Sequence, residues 1–196
     1  MSHARRAPLA SRYPVHVTLK LESWVPSLRE PPCCTAIVEC LRAGKEREGF
    51  RLVHYSIQGH HLHLVVEAVS AEALASGVKG LSVRIARRLN KELGHKGRVF
   101  AQRYSAHILR TPTETRSALF YALNNARRHS AQNGWRHPKD WIDPHSSGAH
   151  FDGWRGLQPR PPPDEEPAVV PAQTWLLKAG WRLRGLLDLD AIPGSR

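Results

Sequence analysis

Residues 51–68 read RLVHYSIQGHHLHLVVEA, and this stretch decides the fold. Apolar and polar residues alternate on both sides of Gly59, which predicts strands at residues 51–57 and 61–68. Two strands joined by so short a turn form an antiparallel hairpin. We expect one face of the first strand to carry Val53, Tyr55 and Ile57.

The segments on either side of the hairpin complete the pattern. Alternation predicts a strand at residues 15–21 and another at about 102–110, and helical spacing predicts helices at about 31–45 and 71–93. Thr111-Pro112-Thr113-Glu114 is a capping box, which predicts a further helix running to about His129. The order βαββαβ, then a helix, predicts an α+β, ferredoxin-like antiparallel sheet. Two helices should cover one sheet face, and the expected open face carries His16, Thr18, His54, Ser56, His61 and His63.

Composition narrows the class of partner. The 196 residues carry a net charge of +12, and 41% of them are hydrophobic, which is ordinary for a globular protein. So large a charge favours a polyanionic partner, although a merely solubilising charge is the alternative. No stretch is apolar and long enough to cross a membrane, and an odd count of three cysteines without a CxxC pair argues against a disulfide scaffold. We therefore expect a cytoplasmic protein.

Composition also divides the chain. A basic segment (1–12) precedes the predicted domain (13–130). Residues 131–171 are irregular, rich in Trp and Pro, and include a stiff linker, and residues 172–196 contain a short helix. We expect this tail to dock on the domain or on a partner.

The pair His61 and His63 is a candidate metal site. Residues two apart in a strand point the same way, so both imidazoles can reach one ion. Imidazole suits transition metals, and mixed sites with oxygen ligands can take Mn or Mg. Two alternatives remain open: a pair of exposed strand histidines, or a structural zinc with Cys33 or Cys40, whose spacing is poor.

Tyr121 is a candidate nucleophile on the last helix. It lies off the apolar stripe of that helix, so burial in the core does not explain it. Asn125 is one turn further along the same face, and Arg128 continues it. A tyrosine, a carboxamide and an arginine supply a nucleophile, an oxygen ligand and a phosphate-binding group; a surface tyrosine lying over a neighbouring element is the alternative. The apolar stripe is Leu119, Ala122, Leu123 and Ala126.

Basic residues near aromatic ones predict a surface for single-stranded DNA, where bases stack and phosphates are neutralised. A solvated charged face is the alternative. The predicted DNA-binding residues are Arg84, Arg87, Arg88, Lys91, Arg98, Arg103, Arg127 and Arg128, interleaved with Phe100 and Tyr104.

Together these motifs resemble the single-tyrosine HUH transposases, especially the branch with the REP-associated tyrosine transposases. Gly59-His60-His61-Leu62-His63-Leu64-Val65-Val66-Glu67 is similar to the family's His-hydrophobic-His strand. Phe120-Tyr121-Ala122-Leu123-Asn124-Asn125 is similar to its tyrosine helix, and Arg98-Val99-Phe100-Ala101-Gln102-Arg103-Tyr104 to the segment before that helix. The resemblance covers residues 13–129. It departs from the family where Gly59-His60 replaces Pro-Asn and where Ala126 replaces a proline.

The resemblance implies a function. It implies a nuclease and strand transferase that cuts and rejoins single-stranded DNA, such as a hairpin or repeat-derived strand, through a 5′-phosphotyrosine on Tyr121. It implies Mg or Mn held by His61, His63 and Asn125. A homodimer is a further expectation. A non-cleaving, domesticated module that binds single-stranded nucleic acid is the main alternative, and a metal-stabilised structural protein with a partner-binding tail is another.

Overall fold

The computed structural model describes residues 9–159, 161 and 165–194. The strands are β1 (Val15–Lys20), β2 (Glu46–Arg47), β3 (Phe50–Ile57), β4 (His61–Ala68) and β5 (Ser105–Ile108). The helices are α1 (Cys33–Gly44), α2 (Ala71–Glu92), α3 (Pro112–Gln132) and α4 (Trp175–Lys178). Most of the predicted basic segment and part of the predicted linker, at 1–8, 160 and 162–164, lie outside the described residues. Within the described ranges, no helix has the length and apolarity needed to cross a bilayer.

The five strands form one sheet in the order β2-β3-β4-β1-β5, and every neighbouring pair is antiparallel. Without the two-residue edge strand β2, this is the βαββαβ order of a ferredoxin-like sheet, so the predicted fold class is confirmed. The predicted capping box is also present: the Thr111 hydroxyl accepts from the Glu114 N–H, and the Glu114 carboxylate accepts from the Thr111 N–H.

Helices α1 and α2 cover one face of the sheet and form the first core with it. The buried stripe of α2 is Leu74, Val78, Leu81, Ile85 and Leu89, as the helical spacing predicts. The helix approaches β3 so closely at Gly77 that a Cβ there would lie 2.2 Å from the Phe50 ring. A glycine is therefore required where α2 crosses the sheet.

The other face of the sheet is not open, which corrects the sequence-based expectation. Helix α3 and the tail pack on it and form a second core with β3 and β4. The tail contributes large apolar side chains that the sequence analysis placed in an irregular segment, so the division at residue 130 does not separate two cores. The buried members of the second core are Val53, Val65, Leu119, Ala122, Leu123, Phe151, Trp154, Leu177, Trp181, Leu187 and Leu189.

A β-bulge in β3 changes which residues face each core. Leu52 pairs with Val66 and His54 pairs with Val65, so Val53 is an extra residue on the β3 side. Leu52 therefore faces the first core, and Val53 faces the second. The prediction that Val53 shares a face with Tyr55 and Ile57 is wrong, because strict alternation fails at the bulge.

Buried polar contacts fix the tail to the domain. The buried Glu67 carboxylate on β4 accepts hydrogen bonds from the backbone N–H groups of Gln173, at 2.9 Å, and Thr174, at 2.7 Å. Further along, the Asn124 side chain of α3 donates to the backbone carbonyls of Asp188 and Ala191. The tail is thus held at both the sheet and α3.

We expect Glu67→Ala to release the start of α4 from the sheet. Two backbone N–H groups lose a charged acceptor, which should lower the free energy of unfolding by about 2–4 kcal/mol. Urea denaturation measures this change. Glu48→Ala, at an exposed turn, is the control and should change stability by less than about 0.5 kcal/mol. Equal stability of the two variants would contradict the anchoring role.

We also expect acid to destabilise the protein through His54. This side chain is buried on the second face, 3.1 Å from the Ser147 hydroxyl, and burial lowers its pKa to about 4. The His54 imidazole is protonated near pH 6.5 in the unfolded chain but only near pH 4 in the folded chain. Burial of the neutral ring therefore contributes fully to the free energy of unfolding above about pH 6.5, and this contribution is lost as the pH falls toward 4.

The loss at pH 5 relative to pH 7.5 should be on the order of 2 kcal/mol for His54 alone. Urea denaturation at both pH values, with His54→Gln for comparison, isolates this contribution because the other histidines are common to both proteins. An identical pH dependence of the free energy of unfolding in the variant and the parent would rule it out.

Candidate active site

Strands β1 and β4 place a polar cluster on the second face of the sheet. Thr18 pairs with His63, and Lys20 pairs with His61, so these side chains lie side by side across the two strands. One step along β1, His16 pairs with His107 of β5. The alternation that buries Val15, Val17 and Leu19 in the first core directs this cluster to the opposite face.

The predicted pair His61 and His63 comes together as expected, with ring centroids 4.7 Å apart. The Nδ1 atom of His63 lies 3.2 Å from His16 Nε2 and 3.3 Å from the Thr18 hydroxyl. Its Nε2 atom is buried and has no hydrogen-bond partner among the described residues. The neighbours on β1 therefore hold one ring nitrogen of His63 and leave the other available.

Helix α3 crosses this cluster with Tyr121 toward the histidines. The half-buried Tyr121 ring lies edge-on, 5.1 Å from the His63 centroid and 6.1 Å from that of His16. Two turns further along α3, the His129 ring is 6.0 Å from His61. The same helix face thus contacts His63 first and His61 later.

Asn125 lies between these two contacts, one turn from Tyr121 and one turn from His129. Its side chain is fully buried, yet neither its amide oxygen nor its amide nitrogen has a partner in the part of the chain that the structure describes. A buried, unpaired carboxamide is costly unless a ligand satisfies it. Its position between two turns that contact the histidines makes it the third polar group of this site.

The electrostatics keep the imidazoles neutral. Burial lowers the pKa of His63 to about 2, helped by His16, His61 and His129, and burial with His107 lowers that of His16 to about 4. The pKa of His61 is also lowered, first by burial and then by His129, His60 and Lys20. Near neutral pH these imidazoles therefore offer lone pairs rather than charge.

The donor set fits a divalent ion. Across the described residues, no three or more His, Cys, Asp or Glu side chains gather as a metal site. Two imidazoles can be completed by the Asn125 carboxamide, whose oxygen lacks a partner. A structural zinc with Cys33 or Cys40 does not fit, because both thiols belong to the first core on the other side of the sheet.

Of the two predicted arginines on α3, one is at the site and one is not. The Arg128 guanidinium carbon lies 5.9 Å from the Tyr121 ring centroid. Arg127 is 5% exposed and donates to the backbone carbonyls of His137, Pro138, Lys139 and Trp141. The prediction that Arg127 binds DNA is therefore corrected: its donors hold a loop of the tail.

Four of the other predicted DNA-binding residues are not at the site: Arg84, Arg87, Arg88 and Lys91 lie on α2, across the sheet from Tyr121. Arg88 pairs with Glu39 and Glu92. Arg98 pairs with Glu22, two residues beyond Lys20, and Arg103 is exposed before β5. Contact of these six residues with DNA stays a prediction.

The sequence analysis did not assign roles to His16, Thr18 or His129. A signal for the first two existed, since strict alternation in residues 15–21 places them on the face that carries His63. No comparable signal existed for His129, because its contact with His61 depends on the angle at which α3 crosses the sheet.

Comparison with known proteins addresses the fold. Neither protein-family models nor curated protein sequences give a match. Among solved structures, a REP-associated tyrosine transposase bound to a REP hairpin aligns with a TM-score of 0.56 and 17% identity, over 92% of this chain and 97% of that one. A predicted transposase from Deinococcus radiodurans aligns with a TM-score of 0.42 and 16% identity, over 56% of this chain and 85% of that one. The chain has the fold of a REP-associated tyrosine transposase.

Proposed function

We propose that this protein is a transposase-type nuclease and strand transferase that cuts and rejoins single-stranded DNA, with Tyr121 as nucleophile. The observation that carries the proposal is the position of Tyr121 against His63, whose Nε2 is buried and unpartnered. Asn125, one turn away, is fully buried, and neither atom of its amide has a hydrogen-bond partner among the described residues. A likeness in fold to a transposase bound to a hairpin supports it.

In the proposed step, the Tyr121 oxygen attacks the scissile phosphorus. A bond forms from phosphorus to the tyrosine oxygen, and the bond from phosphorus to the 3′ oxygen breaks. The proton lost by the phenol balances the proton gained by the released 3′ oxygen. The product is a 5′-phosphotyrosine and a free 3′-OH, and attack by a 3′-OH on the phosphotyrosine rejoins a strand without an energy source.

We propose that His61, His63 and Asn125 hold Mg or Mn. A divalent ion bound there would polarise the scissile phosphate and stabilise the charge that develops on it. His16 and Thr18 position His63, because both lie within hydrogen-bond distance of its Nδ1 atom, and Nε2 would be the ligating atom. Arg128, over the Tyr121 ring, is placed to bind a phosphate beside the reacting one.

The proposed substrate is single-stranded DNA, folded as a hairpin or derived from a repeat. The excess of basic residues, with a net charge of +12, supports a polyanion. A homodimer and a cytoplasmic location stay predictions; free thiols at Cys33, Cys34 and Cys40 support a reducing compartment. The second candidate is a module that binds single strands without cutting them, which the unpartnered metal-ligand atoms do not favour.

Tyr121→Phe tests the nucleophile. The substitution keeps the ring and its contacts with His16 and His63, so we expect unchanged folding and DNA affinity, but no covalent protein–DNA adduct. The measurement is denaturing electrophoresis of the protein after incubation with a library of single-stranded hairpins, followed by mass spectrometry of the adduct. Tyr104→Phe is the control and should keep full adduct formation. DNA attached to another tyrosine, or through a 3′ linkage, would overturn the assignment.

The adjacent residues His60 and His61 allow a matched test of the metal. His61 faces the site, whereas His60 is exposed in the turn before β4. We expect His61→Ala to remove Mn binding, measured by calorimetry, and to remove cleavage, while His60→Ala keeps both. Circular dichroism checks that both variants fold. Full cleavage in excess EDTA, or equal Mn affinity of the two variants, would exclude this metal site.

A further inference from the structure

The loop that follows α3 exposes aromatic rings to solvent. We name residues 135–141 the aromatic loop, after the side chains of Trp135, His137 and Trp141. The Trp135 side chain is 62% exposed, which makes it one of the most exposed large hydrophobic residues in the described part of the chain. An exposed indole favours a binding surface over a core role.

The rings of the aromatic loop are already arranged for stacking. His137 and Trp141 are parallel within 4°, with centroids 3.6 Å apart. Trp135 stands at 85° to His137, with centroids 6.4 Å apart, so it forms one wall beside this stack. The Arg127 guanidinium lies 5.4 Å from the Trp141 ring and supports the stack from the protein side.

The loop is fixed to α3 by hydrogen bonds. The Arg127 side chain, which is almost fully buried, donates hydrogen bonds to four backbone carbonyls of the loop. The Ser130 hydroxyl lies 2.9 Å from His137 Nε2, and the Ser130 carbonyl accepts from the Trp135 N–H at 2.8 Å. A rigid loop loses little entropy when a ligand binds, so these bonds pre-organise the exposed rings.

The aromatic loop follows the end of α3 that reaches His61. Ser130, which holds both Trp135 and His137, directly follows His129, whose ring is 6.0 Å from His61. On the loop itself, the exposed cations Arg136 and Lys139 outnumber the single acid, Asp140. Aromatic faces with neighbouring cations match a chain of unpaired bases and phosphates better than they match a protein surface.

We propose that the aromatic loop is a stacking platform for unpaired bases of the single-stranded DNA that the protein binds. This inference rests on the proposed function and deepens it, because it gives the single-stranded part of the substrate its own binding surface. Stacking on an indole is tolerant of base identity, since every base has a π face. The platform therefore holds the strand without reading its sequence.

The test measures binding in the full chain carrying Tyr121→Phe, so that cleavage does not interfere. The probe is a fluorescent oligothymidine of about 12 nucleotides, a length within the range of known single-strand sites. Trp135→Ala should weaken its affinity about tenfold, measured by fluorescence anisotropy. The slope of log K against log salt should stay unchanged, because a lost stack releases no counterions, whereas Lys139→Ala should make it shallower by about 0.7.

Trp175→Ala is the matched control. Trp175 is 59% exposed but lies on α4, where its ring contacts Gly180. Trp175→Ala should leave the affinity for oligothymidine unchanged. Trp135→Phe should retain most of the affinity that Trp135→Ala loses, because phenylalanine also offers an aromatic face. A second probe, a blunt-ended DNA duplex without unpaired bases, should bind all the tryptophan variants equally, because its bases are stacked in the duplex.

The outcomes separate this proposal from the covalent chemistry. Unchanged oligothymidine affinity in Trp135→Ala overturns the platform, even if the parent protein forms an adduct. Equal loss for the blunt-ended duplex also overturns it, because the aromatic loop would then bind paired DNA. Selective loss for the single strand supports the platform, even if no tyrosine adduct is found.

Discussion

Helix α3 is held against the second face of the sheet by apolar packing, and the geometry of the candidate site depends on it. Leu119, Ala122 and Leu123 of α3 share a core with Val53 and Val65 of the central strands. Tyr121 and His63 belong to elements far apart in the chain, and their rings meet because this packing fixes the position of the helix over β4. A small shift of α3 would separate the proposed nucleophile from the imidazoles without altering either strand.

Two adjacent asparagines of α3, Asn124 and Asn125, are both buried but differ in their hydrogen bonding. The side chain of Asn124 donates to two carbonyls of the tail and is thereby satisfied. Asn125 is buried at least as deeply, but its amide has no partner among the described residues. The same residue type at successive helix positions thus holds the tail in one case and is the proposed metal ligand in the other. The 100° rotation between neighbours on a helix is sufficient to separate the two roles.

The sequence predicted the order of the main elements, the two helices of the first core and the capping box, because periodicity and local spacing determine them. The grouping of Tyr121 with His61 and His63 was implied by the family resemblance and not by local spacing. It did not predict that the second face would be covered, since the tail lacks regular periodicity and docks through scattered tryptophans and leucines. The bulge at Val53 was not predicted, because one extra residue in a strand does not change the composition of the segment. Arg127 looked like any other cation of a basic helix, and its burial depends on a loop that no local pattern predicts.

The dependence of the second core on the tail also orders events during synthesis. The strands and the two helices of the first core are complete once about residue 110 has left the ribosome, and they can then pack on one another. The side chains that seat α3, from Phe151 to Leu189, emerge later. A nascent chain that ends shortly after α3 therefore contains every proposed catalytic group and the contacts of α3 with Val53 and Val65, but it lacks the tail side chains that enclose the helix. The second core can be completed only after the tail has been translated.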